Sequence, residues 1–142
     1  MKSFLDMLDH DRIVAAIAEA EKETSGEIRV HIHHRRAREP FAEATKIFEK
    51  LGMTGTARRN GVLVFVAPRS RKFAILGDMA IHEKCGNAFW EGSARDLEGH
   101  FRDGRFTDGL VAAIRSLGRA LAEHFPSEAG KSNELVNEID ES

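Results

Sequence analysis

Residues 59–78, RNGVLVFVAPRSRKFAILGD, contain two apolar segments that are separated by a short polar turn. Val62–Ala67 has no polar alternation, which is typical of a strand buried on both faces of a sheet. Phe73–Leu76 follows the turn, so the two segments are predicted to form an antiparallel hairpin. In such a hairpin the start of the first strand lies beside the end of the second. Asn60 and Asp78 are therefore expected to lie close together at one edge of the sheet.

Two helices and a strand are predicted before this hairpin. Residues 11–22 carry apolar side chains at helical spacing, and Gly26 stands where a helix stops. In Glu27–His33, Ile and Val alternate with Arg and His, which predicts a half-buried strand near a sheet edge. Pro40 suits the first turn of a second helix, whose apolar stripe continues to Leu51.

After the hairpin the apolar residues return to the period of a helix. Residues 81–102 predict a helix with a break near Gly92 and Ser93. Thr107 can cap a last helix, which Pro126 ends. Residues 1–126 are thus predicted to form one domain, and residues 127–142 are polar and acidic, which predicts a flexible tail.

This order of elements predicts an α/β fold, a three-layer α/β/α sandwich with a small mixed β-sheet flanked by helices. A strand, a helix and a further strand imply a right-handed parallel crossover, and the hairpin adds an antiparallel strand. Because parallel strands end at the same edge, the basic runs His34–Arg38 and Arg69–Lys72 are expected to meet at one end. That end lies opposite Asn60 and Asp78.

Composition narrows the class of protein. The chain has 142 residues and a formal net charge of −2, which is typical of one soluble domain. The acidic residues concentrate after position 127, so the body is only mildly basic, which argues against a strongly basic nucleic-acid module. Cys85 is the single cysteine, which indicates a reducing compartment. We find no signal-peptide core or membrane-length apolar run, so a soluble cytoplasmic protein is expected.

The edge with Asn60 and Asp78 is the strongest candidate site. Asn60, Asp78 and Glu83 offer oxygen ligands that suit a divalent cation such as calcium or magnesium. The alternative is local turn chemistry, with Asp78 as the N-cap of the following helix. Arg58 and Arg59 oppose a cation and would instead suit an anion such as phosphate.

Two further features have functional and structural interpretations. His31 and His33 have the spacing of two zinc ligands on one strand, but no further Cys or His completes a site, so a solvated or half-covered polar face is favoured. The basic runs could hold nucleic acid, an acidic protein or anionic lipid, although aromatic residues for base stacking are absent. The favoured alternative is a solvated rim without a ligand. The basic runs could also contact the acidic tail of the same or a neighbouring chain.

The pattern as a whole resembles the TPM domain family, which includes thylakoid-lumen phosphatases and a receptor-associated membrane protein. The resemblance covers about residues 13–125. The stretches that carry it are Thr24–Ile28, Asn60–Val64, Gly77–Asp78 and Phe101–Leu110.

The resemblance implies a compact α/β/α sandwich whose site lies in loops at the sheet edge, which corresponds to Asn60 and Asp78 here. It also implies divalent-cation binding in some members and acid phosphatase activity in others. This chain departs from many relatives in having Arg59 where they have an acidic residue before Asn-Gly. It also shows neither the signal peptide nor the membrane anchor that relatives usually carry.

Three functions follow from this reading. The first is a non-catalytic module that binds an ion, or a partner protein that can be membrane-associated, through the sheet-edge loops. The second is a metal-dependent acid phosphatase, in which Asp78 would hold a metal or act as general acid and Arg58 and Arg59 would bind phosphate. The third is an adaptor that docks acidic partners on the basic edge.

Overall fold

The computed structural model describes residues 3–127 and 138–142, and its elements follow the predicted order. Short 3₁₀ turns precede α1, precede β2 and connect β2 to β3. The elements are α1 (His10–Lys22), β1 (Glu27–Ile32), α2 (Pro40–Lys50), β2 (Gly61–Ala67), β3 (Lys72–Gly77), α3 (Met79–Cys85), α4 (Asn87–Arg102), α5 (Phe106–His124) and β4 (Ile139–Glu141).

The described strands form a four-stranded mixed sheet in the order β3-β2-β1-β4. β1 pairs with β2 in parallel, from Glu27 opposite Gly61 to Ile32 opposite Val66. β2 and β3 form the antiparallel hairpin, in which Val62 lies opposite Gly77. The parallel crossover, the hairpin and the α/β class are therefore confirmed.

Helices cover both faces of the sheet and complete the three-layer sandwich. One face of β2 packs with the apolar residues of α1, α4 and α5 around Val62, Val64 and Val66. The other face, with Leu63 and Phe65, packs against α2. Because both faces of β2 are covered, all seven of its residues are buried, as its continuous apolar sequence predicts.

The position of β1 differs from the sequence prediction. A half-buried strand near a sheet edge was expected, but all six residues of β1 are buried. β4 pairs in parallel with β1, with Val30 opposite Ile139 and Ile32 opposite Glu141, so β1 lies inside the sheet. The alternation of Arg29 and His31 with apolar residues thus marks a polar face that other parts of the chain cover.

The predicted helix boundaries after β3 need two corrections. The helix break lies at Gly86, between α3 and α4, and not near Gly92 and Ser93. Gly86 has a φ of 78°, a conformation that favours glycine. The last helix begins at Phe106, directly after Arg105, so Thr107 does not cap it.

The acidic tail falls partly outside the described residues, because residues 128–137 are not described. Its last residues are ordered in the sheet, since Ile139–Glu141 form β4. Within residues 3–127 and 138–142, no helix is long and apolar enough to cross a membrane.

The end of β3 approaches α4 closely at Gly77. A Cβ atom at this position would lie 2.5 Å from Trp90 Cζ2, a distance that real Cβ atoms essentially never show. The absent side chain lets the Trp90 ring, which is buried, pack directly on the backbone. The close approach at Gly77 therefore places the next residue, Asp78, where the hairpin meets the helical layer.

Candidate functional site

The hairpin brings Arg59, Asn60 and Asp78 together at the edge where β1 and β2 begin. Asp78 N donates to Gly61 O over 2.9 Å, and Ala80 N donates to Arg59 O over 3.1 Å. Asp78 is also the N-cap of α3, since its Oδ1 accepts from Met79 N over 2.8 Å. The proximity that the sequence predicted and the capping role of Asp78 are both found in the structure.

Arg59 forms a two-point ion pair with Asp78. Arg59 Nε lies 2.7 Å from Asp78 Oδ2, and Arg59 Nη2 lies 2.9 Å from Asp78 Oδ1. The backbone of Arg59 is left-handed, with a φ of 52°, which is uncommon for a residue with a side chain. The hydrogen bond to Asp78 raises the pKa of Arg59, so the guanidinium stays protonated and neutralises the carboxylate.

Asn60 lies in a separate buried network beneath this pair. It is 1% exposed, and its Nδ2 donates to Ser25 Oγ over 3.2 Å. Beside it, Thr24 Oγ1 donates to Phe125 O and accepts from Gly26 N over 3.0 Å. The Thr-Ser-Gly segment before β1 thus connects the start of the sheet to the end of α5, and Asn60 belongs to this connection.

The other two residues of the predicted site lie on the surface. Arg58 is exposed in the loop before β2, and Glu83 is exposed on α3. Within the parts of the chain that the structure describes, no three His, Cys, Asp or Glu residues are grouped so as to hold a metal ion. A cation at Asp78 would have to displace the guanidinium of Arg59, and the metal assignment of Asn60, Asp78 and Glu83 stays a prediction.

The two basic runs meet at the opposite end of the sheet, as the sequence predicts. Ala37 N donates to Ser70 Oγ over 2.8 Å, and Lys72 Nζ donates to Arg38 O over 3.2 Å. We call His34–Arg38 together with Arg69–Lys72 the basic end. His34 Nε2 also lies 2.8 Å from Glu141 Oε2, so the acidic tail contacts the basic end within the same chain.

A chain of polar contacts that the sequence analysis missed connects β1 to β4. His31 Nδ1 lies 2.6 Å from Asp140 Oδ2, and His31 Nε2 lies 2.9 Å from Ser142 Oγ. His33 Nδ1 lies 3.0 Å from the same hydroxyl. Since a carboxylate only accepts, His31 Nδ1–H donates to Asp140, and the Ser142 hydroxyl then donates to His31 Nε2. The alternating His31 and His33 and the acidic composition of the tail were the features of the sequence that could have indicated this contact.

Burial favours the neutral form of these two imidazoles. Burial lowers the pKa of His31, and the hydrogen bond to Asp140 opposes this shift only partly. Burial also lowers the pKa of His33. The His31 ring stacks on Phe65 with centroids 5.7 Å apart, and the His33 ring lies tilted to Phe65 with centroids 5.3 Å apart. A hydroxyl, an imidazole and a carboxylate stand in the order of a nucleophile, base and orienting acid. Because His31 is only 1% exposed, we infer that these side-chain contacts hold β4 in place and do not serve catalysis.

The chain is thus a small α/β/α sandwich, and its loops form polar clusters at both ends of the sheet. The model of the TPM domain matches residues 2–120, and the chain belongs to this family. This confirms the resemblance read from the sequence.

Solved structures that are similar to the chain include the following two. One is the NMR structure of the BA42 protein from the psychrophilic bacterium Bizionia argentinensis, at 36% identity and a TM-score of 0.89, with all of both chains covered. The other is the NMR structure of the N-terminal domain of a protein from P. gingivalis, at 16% identity and a TM-score of 0.66. The latter match covers 80% of this chain and 76% of that one and shows the fold alone. No curated protein matches.

We predict that Arg59→Ala destabilises the protein by leaving the Asp78 carboxylate, which is 6% exposed, without its charge partner. The expected decrease in melting temperature is about 3–8 °C, followed by circular dichroism. The matched control is Arg102→Ala, which removes an exposed ion pair with Glu98 and should change the melting temperature by less than about 2 °C. Equal effects of the two substitutions would contradict a structural role for Arg59.

The lowered pKa of His31 predicts that the protein loses stability on acidification. The unfolded chain takes up a proton near the ordinary value of 6.5, whereas the folded chain resists protonation to a lower pH. The contribution of His31 is therefore complete above 6.5 and decreases as the pH falls, by at most about 1.4 kcal/mol per pH unit.

Urea unfolding between about pH 7.5 and pH 5.5 measures this slope, and His31→Gln should reduce it. The charged and titratable groups that act on His31 are Asp140, His33 and Lys50. His10, whose pKa is raised by Glu138, acts in the opposite direction, so His10→Gln is the matched control and should make the slope steeper. A slope that His31→Gln leaves unchanged would contradict the assignment.

Proposed function

We propose that the chain is a non-catalytic protein-binding module that docks an acidic partner on its basic end. The observation that carries this proposal is the joining of the two basic loops. Arg35, Arg36, Arg69 and Arg71 are all exposed, and within the described residues none of them forms an ion pair. Unpaired cations that are concentrated at one end attract and orient an acidic surface.

An apolar groove beside the basic end adds a requirement for the partner. The groove has a volume of about 650 Å³ and is lined by four partly buried aromatic rings, Phe4, Phe73, Phe101 and Phe106. Arg69 and Arg71 also line the groove, as does the ion pair of Arg102 with Glu98. Aromatic rings with cations beside them suit a segment that carries both apolar and acidic side chains. The partner is therefore an acidic, amphipathic segment of another protein, and a membrane-associated protein can supply it.

The ion pair between Arg59 and Asp78 favours this function over catalysis. Both carboxylate oxygens of Asp78 already accept hydrogen bonds, from Arg59 and from Met79 N. A neutralised carboxylate that caps a helix is a poor general acid and a poor cation ligand. The basic end, by contrast, has its charges exposed.

We predict that charge reversal at the basic end weakens the binding of an acidic peptide. The probe is a fluorescent peptide of alternating Glu and Leu residues, and its affinity is measured by anisotropy at low salt. Arg35→Glu with Arg36→Glu should weaken binding at least about tenfold, because like charges then face each other. Raising the salt from about 0.05 M to 0.5 M should weaken binding of the wild type similarly.

The matched control is Arg115→Glu with Arg119→Glu, which makes the same charge change on the exposed side of α5. The affinity of this variant for the peptide should stay within about twofold of wild type, because the variant changes the net charge but not the docking surface. If both double variants lose affinity equally, the binding reflects net charge and the basic end is not the docking site.

The alternative function is a metal-dependent acid phosphatase at the amino-terminal edge, in line with the resemblance described above. Its residues would be Asp78 and Asn60 for a calcium or magnesium ion and Arg58 and Arg59 for phosphate. We expect no turnover of an aryl phosphate with either cation, because Arg59 holds the Asp78 carboxylate. We likewise expect no saturable amide shift around Asn60, Asp78 and Glu83 when the cations are titrated. Turnover that Asp78→Asn abolishes, with the fold intact, would establish the phosphatase instead.

A further inference from the structure

β4 is a short strand that fills a slot beside β1. Only three of its residues pair with β1, from Val30 to Ile32. Two backbone hydrogen bonds extend the ladder, from Ser142 N to Ile32 O over 3.0 Å and from His34 N to Ser142 O over 2.9 Å. A strand of this length forms only because the sheet and the surrounding side chains hold it. The edge of β1 thus offers backbone groups to an extended segment.

Histidine side chains contact each acidic residue of this segment. Glu138 Oε2 lies 2.9 Å from His10 Nε2. Asp140 Oδ2 lies 2.6 Å from His31 Nδ1, and Glu141 Oε2 lies 2.8 Å from His34 Nε2. The donors come from α1, from β1 and from the loop after β1, so three separate parts of the fold converge on one acidic strand. The slot therefore offers an imidazole hydrogen-bond donor to each carboxylate of its occupant.

The slot also contains the guanidinium of Arg29, which β4 contacts only weakly. The residue is 7% exposed, and its Nη2 lies 3.9 Å from Asp140 Oδ1, beyond hydrogen-bond distance. Among the described residues, Arg29 Nε is buried and has no hydrogen-bond partner. A buried guanidinium with unused donors is costly, and a closer carboxylate would satisfy it. The strand of this chain is thus a suboptimal occupant of its own slot.

We propose that the slot beside β1 is a binding site for an acidic extended segment of another protein, and that β4 occupies it from within the same chain. The incoming segment would pair with the β1 backbone and place a carboxylate between Arg29 and His31. This is the strand-addition mode of peptide recognition, with backbone hydrogen bonds supplying affinity and side-chain contacts supplying specificity. The site differs from the basic end, and the inference does not depend on the proposed function.

The test uses the full ¹⁵N-labelled chain and a free peptide with the sequence of residues 138–142, EIDES. Asp140→Asn weakens the internal strand, because it removes the charge and keeps the shape. Since a tethered strand competes at an effective concentration of the order of millimolar, the peptide should bind the variant about tenfold more tightly than wild type. Binding should shift the amides of Val30, Ile32 and His34 in a saturable way. The control peptide QINQS, which lacks the carboxylates, should bind at least about tenfold more weakly.

A second variant protects the test against misfolding. Glu141 is exposed and pairs with a partly exposed histidine, so Glu141→Gln weakens β4 with little risk to the fold. No saturable shift at the β1 amides in either variant would overturn the proposal. Binding that Arg35→Glu with Arg36→Glu abolishes would also overturn it, since the peptide would then occupy the basic end. A concentration-dependent dimer of the wild type that binds no peptide would assign the slot to strand exchange between copies and would equally overturn the proposal.

Discussion

The parallel pairing of β1 with β2 is the constraint on which the rest of the structure depends. Its register, from Glu27 opposite Gly61 to Ile32 opposite Val66, fixes which loops meet at each end of the sheet. At the start of the strands it places Ser25 beside Asn60. At their far end His33 N donates to Val66 O, and the loops that follow the two strands meet. A slip of one residue would turn the apolar side chains of a strand to the opposite face of the sheet. It would also separate Ser25 from Asn60 and the two loops from each other.

The sequence was sufficient for the elements whose signal is local. The hairpin was predictable because β2 is continuously apolar and a turn of Pro and Ser follows it. The neighbourhood of Asn60 and Asp78 followed from hairpin geometry alone. The two-point contact of Arg59 with Asp78 was not predicted, and it occurs with a left-handed backbone at Arg59 that the sequence does not indicate. Charge alone indicated that Arg59 opposes a cation, and the structure gives the specific reason.

The elements that the sequence analysis missed are those whose stability is tertiary. Ile139–Glu141 is short and acidic, and strand propensity disfavours such a segment. It pairs because β1 offers an open edge and histidines offer donors. The same pairing explains why the prediction of a half-buried β1 was wrong. The alternation of polar and apolar residues in β1 is present, but β4 and Phe65 cover its polar face. The helix break at Gly86 was misplaced because Gly92, inside α4, is also a helix-breaking residue by propensity.

The distribution of internal contacts distinguishes the three polar regions. At the amino-terminal edge, Asp78 is neutralised by Arg59 of the same hairpin. Beside β1, His31 is hydrogen-bonded to Asp140, and both partners again belong to the same chain. Of these three regions, the basic end alone presents several exposed arginines that form no ion pair with the described residues. Because an internal partner must be displaced before a ligand enters, the first two regions resist occupation, whereas the basic end needs no displacement. An acidic partner would therefore meet the basic end first, and the slot beside β1 would open only to a segment that competes with β4.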